Sequence, residues 1–499
     1  MTLQTALPGL QHVTLLTFAM ALVLTGCASQ PINLGQQAVD RLAEQRGRPV
    51  SDQTLESLIG ALDRNPIQLE DAVALALANN PEVANGYLQL RLGAAQAHRA
   101  SRIRNPVLAA TILNSNQSRD GTQLGFDLVG SFTDLLTLGA RKRLVASEFQ
   151  ALQQEVAAAL LVTAAEAERA YYDYVAAQQI FAMQRQIAKA AQASLELAAR
   201  YHQAGNLSPR QFALAQATAA EMVLAQLEAQ EARAESRQAL ANVLGIAAQG
   251  SWQTSQQLPQ PATTEDSLTD LIARGLDSRL DLAAARMRAQ TLADQLQLTA
   301  RTSGLGELDL GLAYEKETDG AELIGPVVAW EVPLFIRNKA ALVQGRAELE
   351  AAIIARQQLA TAVSNQVQLA HAELTNAQAR ADIYRQRLIP ARIAATDRAQ
   401  EEANYMLIGS FELIQAKQDE YTSYLGYLAA VRDYWIAHSA LRLAVGDRLT
   451  GGTPATQPPL DVEATFRTTM HSSHQLHGRP QHASEIKHNG HAPAQDQGH

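Results

Sequence analysis

ARKRLVASEFQALQQEVAAALLVTAAEAERAYYDYVAAQQIFAMQRQIAKAAQASLELAARYHQA, residues 140–204, contains no glycine and no proline, and its reading decides the fold. Ala, Leu, Gln and Glu dominate it, all good helix formers. Gly139 precedes the run and Gly205 follows it, so the punctuation predicts one helix over 140–204. At 1.5 Å per residue such a helix is roughly 100 Å long. A helix of that length cannot bury itself in one compact domain, so it needs long neighbours. A second run, Ala340–Ile408, is interrupted only by Gly345 and Pro390. Two such helices about 200 residues apart point to an internal duplication.

Working outward, each long helix follows a change of period. In 107–135, Leu108, Ala110 and Ile112 alternate with their neighbours, Asn114 to Gly121 is a polar turn, and Leu124, Phe126 and Leu128 alternate again. In 306–335, Leu308, Leu310, Leu312 and Tyr314 do the same before Thr318-Asp319-Gly320. Both read as β-hairpins with one apolar face, and each arm has about the 9–11 residues that a tilted membrane strand needs. Helices are predicted over 67–80, 82–103, 209–244, 265–275, 276–302 and from Gly409 to Val445, with Gly245 and Gly446 as stops. Tyr201 and Gly205 match Tyr405 and Gly409 at an offset of 204, whereas Ala215 and Gly245 match Ala416 and Gly446 at 201. The second turn is therefore expected to be three residues shorter. Helices 82–103 and 209–244 together approach the length of the long one, so they are expected to stack end to end beside it.

The single cysteine, Cys27, closes an apolar run over 13–26. The run is short for a membrane helix and sits where a signal peptide sits. Leu24-Thr25-Gly26-Cys27 resembles the lipobox of bacterial lipoproteins, which implies lipidation of Cys27; Ala28 in place of Asp implies outer-membrane sorting. No Lys or Arg precedes Arg41, so the usual basic leader is missing. The expected organisation is a signal peptide (1–26), a lipidated arm (27–66) with a helical piece near 36–46, a first repeat (67–245), a linker (246–264), a second repeat (265–446) and a polar tail (447–499).

The formal net charge of -9 argues against nucleic acid as a partner. No Gly-rich phosphate loop and no Ser/His/Asp arrangement appears at a readable spacing, so no enzyme activity and no cofactor are expected. Four amphipathic strands cannot close a barrel, and lipid forbids open sheet edges, so the strands require oligomerisation; three copies give a barrel of about twelve.

Leu69-Glu70-Asp71-Ala72-Val73 with Ala78-Asn79-Asn80-Pro81, the two Tyr-x-x-x-Gly tips and Pro333-Leu334-Phe335-Ile336-Arg337-Asn338 together resemble the TolC-like outer-membrane efflux proteins over about residues 67–446. That resemblance implies a mainly α chain with a membrane β-barrel portion: long α-helical hairpins forming a periplasmic α-barrel, and four strands per chain in a homotrimeric twelve-stranded β-barrel. It further implies a passive exit duct of a tripartite efflux system, with a periplasmic adaptor protein and an inner-membrane proton-driven pump of the RND type as partners. Pro-Leu-Phe-x-Arg-Asn is similar to the heavy-metal branch, although Asp134-Leu135-Leu136-Thr137-Leu138-Gly139 in the first repeat lacks its Pro and Phe. By the same resemblance Tyr201, Gly205, Tyr405 and Gly409 form periplasmic tips that touch the adaptor, and Glu412 and Gln415 stand at the pore aperture. Glu412 reads either as part of a carboxylate ring or as a solvated helix residue. Gly205 and Gly409 read first as helix ends in left-handed geometry, and the two tyrosines as packing residues.

Seven of the twelve histidines crowd the tail: His471, His474, His477, His482, His488, His491 and His499. Imidazole suits zinc, copper, nickel and cobalt, so the tail is expected to bind metal loosely, and this tilts the cargo towards metal cations. Organic drugs or solvents are the alternative cargo. A periplasmic coiled-coil scaffold lipoprotein without a pore is the alternative of another class, against which the alternating hairpins argue.

Overall fold

The computed structural model describes residues 34–50, 55–62, 65–114, 122–262, 266–332 and 339–450. Cys27 and its apolar run, the 333–338 motif and the histidine tail lie outside the described residues. The first half contains α1 (Gln36–Gln45), α2 (Leu55–Leu62), α3 (Leu69–Asn79) and α4 (Pro81–Ala100). The hairpin β1 (Val107–Asn114) and β2 (Thr122–Ser131) leads into α5 (Phe132–Gln203) and α6 (Pro209–Leu244). The second half repeats the order: α7 (Leu268–Ser278), α8 (Leu280–Thr302), β3 (Glu307–Lys316) and β4 (Glu322–Glu331). Then come α9 (Lys339–Ile383), a π turn (Tyr384–Leu388), α10 (Ile389–Asn404) and α11 (Ser410–Val445).

The long helix has 72 residues and starts eight positions before the predicted Ala140. Ser131 caps it, its hydroxyl accepting the Asp134 amide at 3.4 Å, and the Thr137 hydroxyl donates to the Thr133 carbonyl at 3.0 Å. Gly139 therefore lies inside the helix, with open space where a Cβ would stand, and the first hairpin ends at Ser131 instead of 135. A glycine inside a helix costs about 1 kcal/mol, too little to break one this long. The second long helix is divided where Pro390 falls. Proline lacks the amide that the ladder needs and crowds the carbonyl four residues back. The π turn just before it widens the ladder by one residue. The two halves show that insertion directly: Thr122 and Ser131 sit 200 residues from Glu322 and Glu331, while the left-handed stops Gly245 and Gly446 are 201 apart.

Short helices stack end to end beside the long ones. The Asn79 and Asn80 amides, at the α3–α4 joint, donate to the Leu244 and Val243 carbonyls at 3.0 and 2.9 Å, which caps the last turn of α6. Arg279, at the α7–α8 joint, reaches the Ala444 carbonyl of α11. Midway along the molecule an aromatic girdle joins the halves: Tyr172 stacks on Trp435 with ring centroids 5.3 Å apart, and Tyr434 meets Trp435 edge-on. The linker wraps this girdle, with Trp435 donating to the Pro259 carbonyl and Tyr434 to that of Ala262. Arg48, just beyond α1, is ion-paired at 2.5 Å with buried Glu168 of α5. Glu168 also accepts from the Ser439 hydroxyl of α11 at 2.5 Å and lies 3.7 Å from Arg442.

The four strands form one antiparallel sheet in the order β1-β2-β3-β4, so β2–β3 joins the halves and β1 and β4 are open edges. Directly paired residues share a face. The register puts Leu108 opposite Leu128, Leu128 opposite Leu312, and Leu310 opposite Val328. Every even-numbered strand residue therefore lies on one face and every odd-numbered one on the other.

Candidate functional site

The even face carries Ile112, Leu124, Phe126, Leu312, Ile324 and Trp330 among its apolar side chains. Leu108, Ile112, Leu312, Ile324, Val328 and Trp330 are each more than half exposed, which no single chain in water explains. Polar residues return to this face only at the end remote from the helices, where Asn114 accepts from Thr122 and Lys316 stands 3.6 Å from Glu322. The charged residues of the odd face are Asp127, Glu307, Asp309, Glu315 and Glu331, all acidic. An apolar band on one side and carboxylates on the other is the pattern of a barrel with lipid outside and water inside. Sequence reading found the apolar alternation and missed the acidic one, although the same period of two displays it.

At the helical root of the sheet, Arg104 donates to Asp134 and to Glu307, and Arg141 donates to the Asp134 carbonyl at 3.0 Å. The Arg104 hydrogen bond in particular holds Asp134 below the usual carboxylate range. This cluster fixes the angle at which α5 leaves the sheet.

The far ends of the helices form two tips. In the first, Gly205 is left-handed at φ +76° and its amide bonds the His202 carbonyl, while the Asn206 amide bonds that of Tyr201. His202 stacks on Phe212 at 4.8 Å, bracing the turn. In the second tip the left-handed residue is Met406, at φ 59°, with the amides of Met406 and Leu407 making the equivalent bonds to Ala403 and Glu402. Gly409 has φ -81° and begins α11, so the reading of it as a left-handed helix end is corrected. The reason is register: Gly205 matches Met406, and the caps Ser208 and Gly409 match, both at an offset of 201. The two turns are equally long, and the expected three-residue shortening does not occur.

Tyr201 lines a cleft of about 250 Å³ with Leu195, Ala198, Phe411, Ile414 and Gln415, so the structure brings Tyr201 and Gln415 together across α5 and α11. Tyr405 does not pack: with Met406 and Leu407 it forms an apolar cap, 78%, 92% and 73% exposed. Glu412 is exposed on the first turn of α11. The Gln415 amide donates to Asp419 at 3.2 Å, and Asp419 pairs with Arg392 at 2.7 Å. Glu420 is buried and pairs with Lys417. Among the described residues no helix is long and apolar enough to cross a membrane, and no three His, Cys, Asp or Glu are placed to hold a metal.

The chain matches no protein-family model and no curated protein. Its fold is nevertheless shared with solved membrane channels. A membrane protein from Pseudomonas aeruginosa superposes with a TM-score of 0.65 at 18% identity, over 80% of this chain and 97% of that one. CusC, described for folding and transmembrane channel formation, gives 0.65 at 13% identity over 81% and 96%. The open-state outer-membrane channel MtrE of Neisseria gonorrhoeae gives 0.62 at 17% identity over 78% and 91%. The fold class is thus the one those channels share, mainly helical with a four-stranded antiparallel sheet.

Proposed function

We propose that this chain is a TolC-like outer-membrane exit duct of a tripartite efflux system, assembled as a homotrimer and exporting heavy-metal cations. The observation that carries the reading is the two-faced sheet at the root of the long helices, mainly apolar on even positions, with every charge on the odd positions acidic among apolar Val107, Leu113 and Leu323. Closing three such sheets edge to edge satisfies β1 and β4 and turns three sets of carboxylates inward. A narrow wet bore lined by one sign of charge concentrates the opposite ion, so the duct favours cations. The likeness to outer-membrane channels supports the same reading.

The duct performs no covalent chemistry and needs no cofactor. An inner-membrane pump of the RND type supplies the work, and a periplasmic adaptor grips the helical tips around Tyr201, Gly205, Tyr405 and Gly409. Exposed Tyr405, Met406 and Leu407 suit an apolar partner surface. Glu412 and Gln415 border the aperture, Cys27 carries the lipid, and His471, His474, His477, His482, His488 and His491 hold metal loosely at the chain end.

The test is the sensitivity of a strain lacking this protein to zinc, cobalt, cadmium, nickel, copper and silver beside a panel of organic toxicants. Hypersensitivity confined to particular metals supports the metal duct. Hypersensitivity to organic compounds alone overturns the cargo and leaves the duct.

A further inference from the structure

Three junctions between helix and strand, α4–β1, β2–α5 and α8–β3, carry the same two-part pattern. An exposed apolar residue sits at the junction: Ile103, Leu135 with Leu136, and Leu305. Exposed basic residues stand close by: Arg99 and Arg301 about one turn back into α4 and α8, Arg102 beside Ile103, and Lys142 and Arg143 two turns further along α5. Among the described residues the side chains of Arg99, Arg102, Lys142, Arg143 and Arg301 make no ion pair, in a chain whose net charge is -9.

The side of the molecule on which part of this belt lies follows from α5. Arg141 joins Asp134, Asp134 joins Arg104, and Arg104 reaches Glu307 on the acidic face of the sheet. Arg143 is two residues further on, about 200° around the helix, and so points away from the acidic side. Leu136 and Arg143 are two turns apart on one line of the helix, about 10 Å along it, as are Leu135 and Lys142. Arg143 and Arg301 line a cleft of about 200 Å³ between α5 and α8, with Leu144, Leu298 and Asp294. The Asp294 carboxylate accepts from Gln290 at 3.2 Å. Above this cleft Trp330, on the apolar face, donates its indole N–H to the Leu305 carbonyl at 2.9 Å, the amphipathic position of an interfacial tryptophan.

We infer that this belt seats anionic phospholipid headgroups of the leaflet on the helical side of the barrel, with Arg143 and Arg301 holding one phosphate in the α5–α8 cleft. The inference rests on the reading of the sheet as a membrane barrel. Apolar residues meet the acyl boundary and basic groups meet the phosphate layer about 6–10 Å below it, which fixes the depth of the barrel and the tilt of its helices.

The test uses the full chain in non-ionic detergent at low salt, titrated with micelles containing phosphatidylglycerol or phosphatidylcholine, with retained lipid counted by native mass spectrometry. The native chain retains phosphatidylglycerol in preference to phosphatidylcholine. Arg143→Gln with Arg301→Gln weakens that retention roughly 30-fold, the scale of two basic side chains at an anionic surface. Arg200→Gln with Arg210→Gln, at the far tip where α5 ends and α6 begins, leaves it unchanged. Equal retention of both lipids, or no effect of the cleft pair, overturns the belt. Displacement of lipid by excess inorganic phosphate also overturns it, by making the cleft a site for free anions. Planar-bilayer conductance separates the two readings: a native chain that conducts without lipid preference refutes the belt alone, and one that folds without conducting refutes the barrel beneath it.

Discussion

Glu168→Gln should release the N-terminal arm from both halves of the molecule. Glu168 is 4% exposed, and its carboxylate meets Arg48 of the arm at 2.5 Å, the Ser439 hydroxyl at 2.5 Å and Arg442 at 3.7 Å. Arg442 in turn donates to the Gly47 carbonyl at 2.8 Å, so one carboxylate organises three segments. The amide preserves shape and removes charge, leaving two largely buried guanidinium groups without a counter-ion. Breaking a buried pair from one side costs about 3–5 kcal/mol. If the loss is confined to the arm, amides of α1 should exchange with solvent about a hundredfold to several thousandfold faster, a factor of ten for each ~1.4 kcal/mol. Arg48→Gln should cost less, because Glu168 keeps Arg442 and the Ser439 hydroxyl. Hydrogen exchange read by mass spectrometry across 34–50 checks both variants. A change below about 1 kcal/mol for Glu168→Gln, or the reverse order of the two, would refute the reasoning.

Other consequences are as direct. Leu312→Arg, central on the apolar face, should lower barrel stability by about 2–4 kcal/mol in lipid, measured by urea unfolding from vesicles, whereas Ala313→Arg on the acidic face should be tolerated. A Cβ at Gly426 would stand 2.5–2.6 Å from the Tyr384 ring of the π turn, so Gly426→Ala should destabilise by about 1–3 kcal/mol in thermal unfolding. In a Tyr384→Ala background, where the ring is gone, the same glycine substitution should cost much less. Burial beside Tyr434 and Trp435 lowers the pKa of His438 from 6.5; the Glu168 carboxylate opposes that shift, and the Arg442 and Arg48 charges add to it. The unfolded chain therefore takes up a proton that the folded one resists. Stability should be intact above pH 6.5 and drain as pH falls through the folded value, and His438→Phe should flatten that slope in melts recorded from pH 7.5 to about 5.

The sequence carried the architecture because its signals are periodic. The absence of breakers over 140–204 and the alternation at 107–113 and 307–314 each report one geometric period, and the halves corroborate one another. Punctuation was less dependable where other forces override it. Gly139 looked like a stop, yet Ser131 and the Arg104–Asp134 cluster set the true start of α5. Gly409 looked like the partner of Gly205 at an offset of 204, yet the halves run at 201 after the residue inserted at the π turn, so the left-handed turn falls on Met406 and Gly409 caps α11. That insertion answers to Pro390 and to the fit of Tyr384 over Gly426, a contact between positions 42 residues apart that no local window holds. α2 went unanticipated because its eight residues lie between prolines. At the site, Tyr201 and Gln415 were legible as tip residues, but their meeting in one cleft depends on how α11 packs on α5.

The central claim is a cation-conducting pore built from the acidic face of the sheet, and planar-bilayer recording under a salt gradient tests it most directly. The full chain should insert as discrete conductance steps whose reversal potential marks cation preference. Asp127→Asn with Asp309→Asn should move that potential towards zero while preserving the steps. Folded protein that gives no steps, or steps that favour anions, would contradict the account.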